Sequence, residues 1–443
     1  MKQIKQFVLI FILIFLSGLL HSKVMDSIHE KKIGDETVAM LWSSGEIIKD
    51  IELQNYLKKI GKELLFIGNL NNKNYDFYLI ENKDVNAFAS WNGIIGVNSG
   101  LLLFTENESE LAAILAHEIS HVSNEHLSRF LEKNSHQDLL LFGGVLASIL
   151  INRTDASQAI LSGTIANNLQ NQINYTREHE WEADRTASKL ILNSKYNPNG
   201  LGTFFKKLIK RNDSKEFLST HPLSINRVSD NLAQYRNHRR NYMDSSSYLL
   251  LRAKLHYDLY KETIESSNPK VVKYSEAYKF FQEKSYSEAK KNIDQLLNIS
   301  TSPHAFILAG RIYSMIGSIE FIDYFDKAHK LGFEEESNYY LAESFLMKKE
   351  FEKALETLKI FSRVNDVSPL TNKLLSEIYV SLNNISRSHL QVGESLLKQK
   401  RYDEAISFFN QVMNSSNEEG LYQIAKSKVS DIENQLKIYK QID

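Results

Sequence analysis

Apolar residues between Ile47 and Leu65 return mostly every three or four positions (Ile47, Ile48, Ile51, Leu53, Tyr56, Leu57, Ile60, Leu64, Leu65), and the stretch from Lys23 to Leu65 is predicted as an amphipathic helix. The period then changes. Tyr75 to Ile80 reads as a strand, and Asn86 to Trp91 and Ile94 to Asn98 flank Asn92-Gly93, a pair suited to a two-residue hairpin turn whose central residues both take positive φ. A helix is expected to start at Thr105, with Glu108 three residues on in the manner of a capping box. Within it Leu111 to Ala116 is apolar all round, as in a helix buried in the middle of a domain. A second apolar run, Leu139 to Ile151, is too short to cross a bilayer and contains Gly143-Gly144, so a core or lid helix is expected there. Ser157 to Asn171, rich in small and amide side chains, is a candidate flap.

Beyond the basic patch Arg236 to Arg240 and the run Ser245 to Ser247 the pattern becomes strongly helical and repetitive. Pro269, Pro303 and Pro369 are separated by 34 and 66 residues, and 34 is the tetratricopeptide period. Leu308 and Leu374 lie five residues after their prolines and Tyr313 and Tyr379 ten after, while Leu341 keeps the phase behind Glu336. Tyr286-Ser-Glu-Ala, Phe351-Glu-Lys-Ala and Tyr402-Asp-Glu-Ala mark second helices. The interval of 51 residues from Ala354 to Ala405 breaks the phase and implies an extra or missing helix. Such repeats cannot bury their apolar faces singly, so they stack into a solenoid with a concave surface for partner segments.

Composition narrows the chemistry. A net charge of -1 on 443 residues gives no sign of nucleic acid or an anionic membrane as the partner. The absence of cysteine excludes disulfides, thiolate metal sites and a cysteine nucleophile, so any metal must be held by His and carboxylates. Lys2 and Lys5 before the apolar run Phe7 to Leu20 predict a signal peptide over 1–22 and export of the rest.

The sequence His117-Glu-Ile-Ser-His121 lies in the apolar helix. Four-residue spacing puts the two imidazoles on one face, where they can share a zinc ion, and Glu118 can reach the water such a metal activates. In an apolar helix the ring nitrogens would be stranded without a ligand to bind them. Downstream, Tyr175-Thr-Arg-Glu-His-Glu-Trp-Glu-Ala-Asp-Arg185 carries four potential ligands, Glu178, His179, Glu180 and Glu182, among which helical spacing cannot choose. Glu180 and Asp184 share a face, so one could ligate while the other accepts a hydrogen bond from a ligating His.

These pieces, with Asn86-Ala-Phe-Ala and Gly100-Leu-Leu ahead of them, resemble the gluzincin metallopeptidases that include the CAAX prenyl endopeptidase and HtpX, and in particular their periplasmic branch. The resemblance covers roughly Val85 to Arg185. It implies one zinc ion held by His117, His121 and Glu180, Glu118 as general base, and a substrate added as an antiparallel strand along Ile94, Ile95, Gly96, Val97 and Asn98. Ser219-Thr-His-Pro-Leu, followed by Arg227, matches a segment that returns a histidine to the zinc, making His221 a candidate fourth ligand or transition-state donor. Relatives often have an Arg before the histidine matching His126, where this chain has Glu125, so no role is assigned to His126. The expected architecture is an α+β zincin-type metallopeptidase domain (23–243) followed by an all-α tetratricopeptide-repeat solenoid (248–443). The implied setting is the periplasm, with unfolded or misassembled outer-membrane proteins as substrates and the outer-membrane assembly machinery as a partner. Two alternatives are a chaperone-like factor with gated proteolysis and a membrane-anchored HtpX-like protease.

Overall fold

The computed structural model describes residues 27–71, 73–133, 169–211, 215–234 and 242–441. The signal peptide, the apolar run 139–151 and most of the candidate flap lie outside them. The single N-terminal helix expected from periodicity is two. A first helix, α1 (27–44), ends at Gly45, whose φ of 80° is left-handed. Ile47 then pairs with Ile80 in an isolated antiparallel bridge before α2 (Ile51–Ile67) starts on an Asp50 cap. Ile47 keeps its apolar role while leaving the helix, because a sheet edge is available to pair its backbone.

The sheet has three strands, β1 (Asp76–Ile80), β2 (Ala87–Ala89) and β3 (Ile94–Asn98), in the order β1-β3-β2. β3 runs parallel to β1, with Phe77 opposite Ile95, and antiparallel to β2, with Phe88 opposite Gly96. The expectation that Ile94, Ile95, Gly96, Val97 and Asn98 form the substrate edge is therefore corrected: β3 is the central strand, buried along its length and paired on both sides. Sequence alternation does not reveal which strand of a hairpin faces outward, because that depends on where the non-adjacent β1 docks. The hairpin itself is present, with a three-residue turn, Trp91–Gly93, in place of two. Asn92 and Gly93 both have positive φ, 57° and 75°. A Cβ on Gly93 would stand 1.8 Å from the Asn74 carbonyl oxygen, so glycine is required there.

A short helix α3 (Ser99–Phe104) follows β3, and the helix bearing the histidines, α4, spans Glu108–Ser123. Its N-cap is Asn107, which accepts from the Glu110 N–H at 3.0 Å, and not Thr105. Thr105 closes α3 by donating to the Leu102 carbonyl at 2.7 Å. Glu108 caps nothing locally: it accepts from Tyr56 Oη (2.9 Å) and from Ser245 N–H (2.9 Å) and Oγ (2.7 Å), tying the start of α4 to the chain that leads into the repeats. Leu111 to Ala116 are wholly buried, as the unbroken apolar run predicts.

From Pro269 onward the chain is helix pairs: Pro269–Gln282 with Tyr286–Leu297, Pro303–Met315 with Phe321–Lys330, Glu334–Met347 with Phe351–Val364, and Pro369–Ser381 with Ile385–Lys398. This is the tetratricopeptide solenoid. Tight turns with a left-handed residue recur at Lys349, Asn383 and Lys400. The first two are 34 apart and the last two only 17, so the phase break is one additional helix, and Ile385–Lys398 turns directly into Tyr402–Ser415.

The helix Ser246–Tyr260 joins the two halves, with Tyr248, Leu251 and Leu255 in the peptidase core and Leu250, Ala253 and Tyr257 in that of the repeats. Beneath it Lys254 pairs with Asp50 (2.7 Å) and Glu52 (2.6 Å), and Glu52 also bonds His304 Nδ1 at 2.6 Å. The far end of the solenoid returns to α1, where Tyr402 and Tyr439 both donate to the buried Asp35.

Candidate metal centre

Three segments converge. α4 supplies His117, Glu118 and His121, a long helix α6 (Leu169–Leu192) supplies Glu180 and Asp184, and the short helix Lys215–Thr220 delivers His221. His117 Nε2 stands 3.0 Å from His121 Nε2 and 3.3 Å from Glu180 Oε2, and His121 Nε2 is 3.3 Å from Glu180 Oε1. His221 Nδ1 lies 3.2 Å from Glu180 Oε1. Ligand atoms about 2.0–2.1 Å from a tetrahedral zinc would be about 3.3 Å from one another, so these separations suit that ion. His117, His121, Glu180 and His221 form the group able to hold a metal among the described residues.

The electrostatics also call for a cation. Burial opposes charge on His117, yet hydrogen bonds to Asp184 and Glu180 lift its ring to about 10. Burial likewise works against an ionised Glu180, but His221, His121 and the bond from His117 hold its carboxyl well below the ordinary range. Neither oxygen of the fully buried Glu118 has a hydrogen bond among the described residues, although His221 Nε2 is 3.4 Å from its Oε1. A buried carboxylate kept this bare is suited to exchanging protons with a reacting molecule.

Of the four downstream candidates, Glu180 is the one brought to the histidines. Asp184 Oδ1 lies 3.0 Å from His117 Nδ1, behind the ring, while His117 Nε2 faces the ligand cluster. Arg227 holds this carboxylate with Nε at 2.8 Å and Nη2 at 2.9 Å, and its Nη1 reaches Glu180 Oε2 at 2.9 Å. Its position six residues after His221 is a signal that local pattern cannot translate into a contact across the fold. Asn86 anchors the hairpin to the His221 segment, accepting from Thr220 Oγ1 at 3.3 Å. His126 was assigned no role by sequence, yet its Nδ1 lies 2.8 Å from His121 Nδ1.

Residues 52–233 match the profile of peptidase family M48. They are an M48 metallopeptidase domain. Members of M48 use zinc, in keeping with the His and Glu cluster at this centre. The chain is similar to the beta-barrel assembly-enhancing protease of Yersinia pestis, 35% identical over 290 residues that make up 60% of this chain and 59% of that protein. It is also similar to the beta-barrel assembly-enhancing protease of Escherichia coli (strain K12), at 29% over 403 residues, 86% of this chain and 83% of that one. Over 164 residues it is 30% identical to the metalloprotease LoiP of Escherichia coli, covering 36% of this chain and 63% of LoiP. The chain spans 59% of the length of the Yersinia pestis relative, and in it the M48 domain is followed by the helix pairs from Pro269 onward.

Proposed function

We propose that the chain is a periplasmic zinc endopeptidase that removes stalled or misassembled outer-membrane proteins, with the solenoid engaging clients or the assembly machinery. The observation that carries the chemistry is the convergence of His117 Nε2, His121 Nε2 and the Glu180 carboxylate, the two nitrogens 3.0 Å apart and each 3.3 Å from one of its oxygens. The clients are suggested by the relatives' name, beta-barrel assembly-enhancing protease, and export by the basic and apolar start of the sequence, Lys2 to Leu20. Bound zinc supplies a Lewis acid that polarises the peptide carbonyl and acidifies the attacking water. Glu118 takes the proton from that water and delivers it to the leaving amine. Asp184, braced by Arg227, keeps His117 in the tautomer that ligates. His221 serves as a fourth ligand at rest or as a donor to the developing oxyanion.

The substrate strand is assigned to β2. The Asn86 carbonyl and the Ser90 N–H bond to β3, so by antiparallel alternation Ala87 and Ala89 direct their backbone groups to the opposite side. No strand pairs with that side among the described residues, and the Ala87 carbonyl points to His221 Nε2 at 3.4 Å. An extended peptide added there runs beside the ligand cluster. A cavity of about 310 Å³ lined by Ser90, Trp91, Asn92, Gly93 and His121 continues the same path.

The purified full chain should hold one zinc and cleave an unfolded outer-membrane β-barrel protein. Glu118→Gln should retain the zinc and lose activity by about 10²–10⁴-fold; undiminished cleavage by that variant would sink the reading. A gated, chaperone-like role has one observation in its favour, the buried His221 against both Glu180 and Glu118. Full rescue of a deletion strain by Glu118→Gln would select it. No helix among the described residues is long and apolar enough to cross a bilayer; release of the protein by carbonate or salt without detergent would exclude a membrane-embedded protease.

A further inference from the structure

We propose that His126 and Glu182 act as a positioning pair that locks His121 in the orientation and tautomer needed to bind the metal. The inference rests on the reading of His121 as a ligand.

Two imidazole nitrogens, His121 Nδ1 and His126 Nδ1, face each other at 2.8 Å, a distance that requires a proton on one and a lone pair on the other. Which ring donates is decided one step further out. His126 Nε2 is 3.3 Å from Glu182 Oε2, and a carboxylate only accepts, so His126 carries its hydrogen on Nε2. A neutral His126 then presents a lone pair at Nδ1, and His121 must donate from its own Nδ1. The consequence is at the other end of the His121 ring, where Nε2 is left unprotonated and aimed at His117 and Glu180. Behind His117 the corresponding place is taken directly by Asp184, whose Oδ1 is 3.0 Å from Nδ1. The two metal-facing rings are thus oriented by different devices, a carboxylate for one and a carboxylate acting through an imidazole for the other.

The surroundings hold this pair in place. Glu125 takes a left-handed backbone (φ 56°) between α4 and the next helix, α5 (His126–Lys133), and so turns His126 back toward the metal face. The His126 ring lies flat on His179, with centroids 4.2 Å apart and planes within 5°, and is 3% exposed. Arg129, one turn along α5, fixes Glu182 at 2.6 Å. His179 and Glu182 flank Glu180 on α6, so the residues that look like competing ligands in sequence support the ligand on the neighbouring helix. His126 is not itself a ligand, since its Nδ1 meets the side of the His121 ring remote from the cluster.

The test is zinc affinity of the full chain by chelator competition, with d–d spectra of the cobalt-substituted protein as a second readout. In His126→Leu the acceptor is lost, and zinc should bind about 10–100-fold more weakly with shifted cobalt bands. His126→Asn places an amide oxygen near the Nδ1 position and should restore affinity to within about threefold of wild type. Glu182→Ala, at a half-exposed site that folding tolerates, should weaken zinc about 3–10-fold by freeing the His126 tautomer. Wild-type affinity in both His126→Leu and Glu182→Ala, or equal loss in His126→Leu and His126→Asn, would overturn the proposal. His121→Ala separates the two levels: if it loses zinc while His126→Leu does not, the ligand reading stands and the positioning pair falls.

Discussion

Arg227 grips Asp184 with two nearly parallel hydrogen bonds, Nε at 2.8 Å and Nη2 at 2.9 Å, and with its third nitrogen reaches Glu180 at 2.9 Å. One buried guanidinium therefore orients the carboxylate behind His117 and touches the carboxylate that faces the histidines. Arg227→Lys keeps the charge but cannot form the fork, and should weaken zinc about 10–100-fold in chelator competition. Arg227→Ala leaves Asp184 without its buried partner and should lower unfolding stability by about 3–5 kcal/mol in denaturant titrations. Equal zinc affinity in wild type and Arg227→Lys would remove the arginine from the metal's support.

The open side of β2 gives a backbone test. Ala89→Pro deletes the outward N–H while the β3 ladder, which runs through Asn86 and Ser90, is retained. Cleavage of an extended peptide should fall at least about tenfold in kcat/KM, with zinc content unchanged. Unaltered kcat/KM would show that substrates do not add to this strand.

Gly93→Ala sets a Cβ against the Asn74 carbonyl in a left-handed backbone. The expected loss is at least about 2 kcal/mol, read as a lower thermal midpoint of the metal-free chain. Asn92→Gly, which only relaxes a neighbouring left-handed position, should leave that midpoint within a few degrees.

The joint between peptidase and repeats should loosen in acid. Burial alone would raise the Glu52 carboxyl, but Lys254 and His304 bring it from 4.5 down to about 2. Because the folded value lies below the unfolded one, the carboxylate's contribution, on the order of 3 kcal/mol, is present above about pH 4.5 and is lost as pH falls toward 2. The protection factor for hydrogen exchange in the helix Pro303–Met315, taken relative to the intrinsic rate at each pH, should therefore fall over that window in wild type. In Glu52→Gln that protection factor should already be low at neutral pH and change little with acid. A wild-type joint indifferent to pH across that window would contradict the assignment.

How much of this was legible beforehand differs from residue to residue. His117, Glu118 and His121 are local, since helical geometry alone puts two rings on one face, and the unbroken apolar run around them predicts the burial observed. The repeat phase and its break over the 51-residue interval are likewise one-dimensional signals, because each helix pair packs mainly on its neighbours in sequence, while the structure shows that the break is an added helix and not a missing one. The Thr105 cap was misread because Asn107 competes for the same helix start, and only the docking of α3 separates them.

What tertiary structure decided are the relationships between distant segments. Periodicity could not make β3 central, since that follows from the parallel docking of β1. Nor could spacing single out Glu180 from Glu178, His179 and Glu182, because the choice depends on how α6 is rotated against α4. The same rotation sets His126 behind His121 and Arg227 behind Asp184. Sequence by itself determined which residues could carry zinc chemistry, through short-range helical geometry. Their orientation came from long-range packing, in which buried carboxylates and rings are satisfied only by partners that the chain brings from far away.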